Sequence, residues 1–239
     1  MAARDVAIDG ASVVVRGNFN PAIFSPRWFL DEELIGSAEF EDSAIEIISP
    51  NLTVFRMGWA NVHSSSDTFQ VNTRDQDEFE RLRDLVAGVL RTLRHTPVAV
   101  LGLNRDIHIR VPDREALDRI GDRITPKDIW NPTLPLAGLR GVTMWGSRQN
   151  QYGGHIQVTV EPSLRVPNAV YVSHNDHYDL SVHDSPPVDR VTAYDEDTDV
   201  TATSGKLEVA LQVLSESWSQ SMTAADEMAG AIESLGRIP

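Results

Sequence analysis

Between residues 75 and 94, Phe79, Leu82, Leu85, Val86, Val89, Leu90 and Leu93 recur at helical spacing, while arginines and acids fill the other side. A period of this kind builds an amphipathic helix whose apolar stripe must be covered by a sheet or a partner. Pro97 ends it, because the residue before a proline avoids the α region. No other segment restricts the architecture as strongly.

Material to cover the stripe lies on both sides of it. Residues 11–17 (ASVVVRG) are a β-branched run closed by glycine, and residues 44–49, 52–59 and 68–73 read as strands. Pro50-Asn51 separates the first two of those three as a turn. Ser25-Pro26 supplies an N-cap and a first-turn proline for a short helix carrying Trp28, Phe29, Leu30 and Leu34. Beyond Pro97, residues 98–103 and 107–111 read as strand, with a bulge or turn expected over 102–106 around Gly102. Asp113 then caps a short helix through Arg123.

The last third repeats this grammar. Strands are expected at 139–145, 155–161 and 169–178, followed by a helix over 205–235 with a break at Thr223. The order β-β-β-α thus occurs over 44–94 and again over 139–235. The expected fold is α+β, with a largely antiparallel sheet and helices on one side. One domain is expected over residues 1–239, in two similar β-β-β-α halves near 1–124 and 125–239. Residues 184–204, rich in proline and acids (Pro186, Pro187, Asp195, Glu196, Asp197, Asp199), are expected to form an exposed acidic loop.

Composition narrows the function classes. The 239 residues hold no cysteine, which removes disulfides, thiolate catalysis and Cys-ligated metals. Net charge is -14, so general binding to a phosphate backbone is disfavoured. No apolar run reaches the roughly 18–20 residues that span a bilayer, and the N-terminus lacks a secretory signal pattern. A cytoplasmic location without membrane association is expected.

The densest polar cluster is His174-Asn175-Asp176-His177-Tyr178-Asp179, with His183-Asp184 close behind. Imidazole and carboxylate are the usual ligands for zinc, iron or manganese where cysteine is absent. His174, Asp176 and His177 are therefore the candidate catalytic residues. On a straight strand His174 and Asp176 face one side and His177 the other, so a site would need help from His155 or His108. The simpler account is a strand end whose polar groups hydrogen-bond and meet solvent. No metal and no cofactor are expected, because the spacing matches no metal signature. Nucleophile-elbow and phosphate-loop motifs are missing, and Gly153-Gly154 reads as a hairpin turn. Trp28, Phe29, Trp59, Trp130 and Trp145 read as core or interface.

Several of these segments together resemble an uncharacterised, sporadically distributed bacterial protein family. They are Phe55 to Trp59, the long helix, His95-Thr96-Pro97 with Gly102-Leu103-Asn104, Asn175-Asp176-His177-Tyr178 and the closing helix. The resemblance implies a bacterial α+β protein and assigns no activity; the sporadic distribution suggests defence or a mobile element. The leading expectation is a non-enzymatic interaction or assembly protein, a homo-oligomer and most simply a homodimer through the C-terminal helix. Alternatives are a metal-dependent hydrolase built on the His/Asp cluster and a small-ligand binding module.

Overall fold

The structure is a computed structural model and describes residues 4–148, 151–180 and 205–237. The expected acidic loop at 184–204, with His183, lies outside the described residues. The chain forms β1 (Val6–Gly17), α1 (Pro26–Asp31), α2 (Ser37–Glu41), β2 (Ser43–Ile48), β3 (Leu52–Met57), β4 (Ala60–Ser65) and β5 (Thr68–Thr73). There follow α3 (Phe79–Thr92), β6 (Val98–Arg110), α4 (Arg114–Ile124), β7 (Val142–Ser147), β8 (Gly153–Pro162), β9 (Ala169–Asp179) and α5 (Lys206–Ser234). All nine strands join one antiparallel sheet in the order β2-β3-β4-β5-β1-β6-β9-β8-β7. The fold is α+β. Two meanders, β2 to β5 and β7 to β9, flank the long central pair β1 and β6, so the first meander has one strand more than its counterpart.

That extra strand is β4, ANVHSS. Its residues alternate, with Ala60, Val62 and Ser64 buried and Asn61, His63 and Ser65 half-buried, but the small and polar content hides the period. The turn Gly58-Trp59 precedes it, which ends β3 before Trp59. The bulge expected over 102–106 is absent, because β6 runs unbroken across it and pairs with β1 and β9 along its length. Leu101, Leu103, Arg105, Ile107 and Ile109 share one side of β6; Gly102, Asn104, Asp106 and His108 share the other.

The first of these sides carries every helix among the described residues. Val13, Val15, Phe55, Phe69, Leu101 and Leu103 pack against Leu82, Val86, Val89 and Leu90 of α3 and Leu214 and Trp218 of α5. Farther along the same side, Ile107, Ile109, Val160 and Val172 pack against Ala116 and Ile120 of α4 and Ala229 of α5. The stripe predicted for α3 is thus its buried face, with Leu93 half-buried at its end. Ser25 and Asp113 cap α1 and α4 as expected, each accepting from a backbone amide in the first turn.

The C-terminal helix corrects one expectation. No break occurs at Thr223; α5 is continuous over 29 residues. At 1.5 Å per residue it is about 43 Å long, close to the roughly 44 Å of a 13-residue strand such as β6. It lies along β6, and its own Leu207, Ala210, Leu214, Trp218, Met222, Ala225 and Ala229 are buried. Leu211 and Ile232 of the same helix are half-buried, and Met228 is 38% exposed.

Candidate functional site

The His/Asp cluster ends β9, an interior strand paired with β6 and β8 on either side. Strand alternation divides it. His174, Asp176 and Tyr178 point into the helix layer and are 3%, 4% and 1% exposed, whereas Asn175, His177 and Asp179 occupy the uncovered face. The sheet itself separates His177 from His174 and Asp176. Among the described residues, no group of three or more His, Asp or Glu side chains is placed to hold a metal ion.

On the covered side the cluster is tied into a polar seam. Asp176 pairs with the buried Arg148 at 2.5 Å and accepts the Tyr178 hydroxyl at 3.0 Å, while the Arg148 guanidinium lies 3.5 Å from the Tyr178 ring centre. Arg148 also donates to the His177 carbonyl at 2.5 Å. Burial holds the His174 imidazole below its ordinary pKa, and burial pushes the Tyr178 hydroxyl up to about 12. This is an interior network in which Asp176 is buried.

One strand away on the same side, Arg105 interrupts the apolar row of β6 and separates the two core clusters. Its guanidinium takes both oxygens of Asp9 at 3.0 and 2.7 Å, and donates to the Met222 carbonyl of α5 at 2.8 Å. Gln76 adds a 2.7 Å bond to Asp9. The arrangement is a bidentate pair supplemented at its open lone pairs.

The face that no helix covers among the described residues is chemically unlike the other one. Across consecutive strands, Arg56, Asn61, Asn72, Ser12, Asn104, Asn175, Gln157 and Trp145 stand in register as one transverse row. Asn61 donates to Asn72 at 3.1 Å, and Asn104 donates to the Ser12 hydroxyl at 3.2 Å. In the neighbouring row His177 and His155 are cross-strand partners with stacked rings 4.6 Å apart, and Trp145 stacks on His155 at 4.9 Å. Burial, then the neighbouring His155, lowers His177 to about 4. Gly154 makes this corner compact: it is the second residue of β8 rather than part of a turn, at φ 110°, and a Cβ there would lie 2.1 Å from the His177 carbonyl oxygen.

The other end of the face sinks into a depression of about 350 Å³. Its floor includes Ser12 and Asp106 from the central strands, with His108 and Tyr171 in register beside them and Glu161 next to Tyr171. The His108 and Tyr171 rings lie 4.7 Å apart, and Ser163 meets His108 Nδ1 at 2.8 Å. The Tyr171 hydroxyl donates to Asp106 at 2.5 Å; burial, then this bond, raises it to about 12. Burial, then the Arg165 charge, holds His108 below its ordinary pKa. A neutral imidazole, two carboxylates and a phenol therefore meet at the floor.

Of the sequence candidates, only His177, His155 and His108 reach this face, and none of them converges with His174. Two of the residues that shape it, Asn104 and Asp106, carry a signal in the sequence: the period-two alternation of LNRDIHI runs straight through the segment expected to bulge. No protein-family model matches the chain, and no curated protein matches it.

Proposed function

We propose that this is a binding protein that takes a small polar ligand on the uncovered sheet face. The single observation that carries the reading is the asymmetry of the sheet. One side is sealed by α3, α4 and α5; the other presents aligned amide, hydroxyl and imidazole groups around a depression large enough for a small molecule. A sheet face exposed only to solvent requires no such row, because isolated polar residues of any type satisfy it. Ser12 lines the depression from a central strand, so a bulky ring there fills it without entering the helix-side core. Ligand-observed NMR against sugars, amino acids and hydroxy acids is expected to give hits that Ser12→Trp abolishes while its melting temperature stays within a few degrees of the parent. Hits indifferent to that variant would defeat the reading.

A second reading, self-assembly, is supported by a different observation. The outer strand β2 carries Ile45, Ile47 and Ile48 at 58%, 45% and 42% exposure, and its outward edge has no neighbouring strand among the described residues. Edge strands normally defend themselves with charge or proline. Within β2 only Glu46 is charged, and it is drawn to Arg56 at 3.4 Å. An identical β2 from a second copy, antiparallel about a two-fold axis, supplies both the missing hydrogen bonds and the apolar cover. Light scattering should give twice the 26.5 kDa chain mass, falling to one chain in Ile47→Lys. A single-chain mass for the parent at micromolar concentration excludes the pairing.

A further inference from the structure

Charge on the uncovered face is not distributed at random. Arg16, Arg56 and Arg110 all belong to it, and each holds a carboxylate: Asp67 at 3.5 Å, Glu46 at 3.4 Å and Asp5 at 3.1 Å. The two arginines at the depression behave differently. Arg74, whose stem passes within 3.6 Å of where a Cβ of Gly10 would stand, and Arg165, in the β8–β9 connection, form no ion pair among the described residues. Two carboxylates, Asp106 and Glu161, line the same depression, yet neither guanidinium is paired with one of them. Both act on the same group: each of their charges disfavours protonation of His108 between them.

The floor sets the opposite requirement. Asp106 and Glu161 line the same depression, and only one of them, Asp106, is engaged by the Tyr171 hydroxyl. Two carboxylates next to two guanidiniums repel a polyanion, and the net charge of -14 repels it further. They welcome a molecule that brings one negative group and its own O–H or N–H donors. The space of about 350 Å³ holds roughly a dozen water-sized atoms at about 30 Å³ each. The His108 and Tyr171 rings, tilted 35° to each other, offer surface for the ligand's carbon skeleton.

We infer that the depression binds a small ligand with a single carboxylate or phosphate beside hydroxyl or ammonium groups. Arg74 and Arg165 take the anion, Asp106 and Glu161 accept from the donors, and neutral His108 adds a hydrogen bond. The inference rests on the binding reading above and goes beyond it by fixing the ligand's charge pattern. A hydroxy acid, an amino acid and a sugar phosphate all satisfy this chemistry, and the test separates them.

The experiment is calorimetric titration of the full chain with D-gluconate, L-serine, glucose 6-phosphate and, as the uncharged counterpart, D-glucose. Arg74→Gln and Arg165→Gln are at exposed positions, and their folds are checked by thermal melting. At least one of the three anionic probes is expected to bind, to weaken roughly tenfold or more in each arginine variant, and to outcompete glucose. Which probe binds identifies the source of the anion. Glucose binding as tightly as the best anion, with no effect of either variant, would overturn the charge pattern yet leave the open-face reading standing. Silence from all four probes at millimolar concentration would overturn the ligand class, and the Ser12→Trp screen would then judge the face by itself.

Discussion

Arg105→Ala should cost about 3–5 kcal/mol of unfolding free energy, the range for removing one partner of a buried ion pair. The reason is what remains. The Asp9 carboxylate, 4% exposed at its side chain, keeps only the Gln76 amide after losing both guanidinium bonds. Arg105 also links β6 to α5 through the Met222 carbonyl and through Asp226 at 3.5 Å, and Asp226 in turn holds Arg4 at 2.7 Å. One side chain therefore ties the first strand, the central strand and the last helix together across the seam between the core clusters. Urea denaturation measures the effect. Replacing both partners, Arg105→Met with Asp9→Leu, should recover a large part of the loss because no charge is left buried. A double variant as unstable as the single one would show that packing, and not the uncompensated charge, accounts for the cost.

Stability should also fall steeply in mild acid. Burial holds His177 at about 4 against an ordinary 6.5, so the folded protein keeps it neutral while the unfolded chain takes up a proton below pH 6.5. Between those values the unfolded state binds more protons, and stability rises with pH; it is fully present above 6.5 and is lost as pH falls toward 4. His177 alone contributes about 3 kcal/mol over that window at about 1.4 kcal/mol per pH unit. The groups facing it are His155 on β8 and Arg148, which disfavour its protonation, as does Arg16 on β1, and Asp179 on its own strand, which favours it. His108, His155 and His174 are displaced downward as well and act in the same direction. Urea titrations at pH 7.5, 6 and 4.5 should show the decline, and His177→Gln should flatten it. Unchanged stability across that range would refute the assignment.

Both expectations depend on residues whose importance sequence patterning only partly exposes. The helix over 75–94 was legible because seven apolar side chains repeat at one spacing, and a helix stripe needs only local information. The cap at Asp113 was legible for the same reason. β4 was not, since its alternation is carried by alanine, valine and serine, whose burial is bestowed by β3 and β5 on either side. The polar interior of β6 was misread as a bulge. An arginine in a buried row looks like a break until Asp9, 96 positions away, is known to stand beside it.

The same reasoning applies to the candidate site. Strand alternation predicted that His174 and Asp176 would part from His177, and they do, because a pleat fixes side-chain direction residue by residue. It could not say that His155 stacks on His177, that Asp106 meets Tyr171, or that Arg74 and Arg165 border one depression. Local sequence determined the elements, their faces and the helical cover, since each depends on neighbours within one or two turns. Tertiary structure alone decided which polar groups meet, because register between strands is set by contacts far apart in the chain, and a shift of one residue would send every one of them to the opposite face.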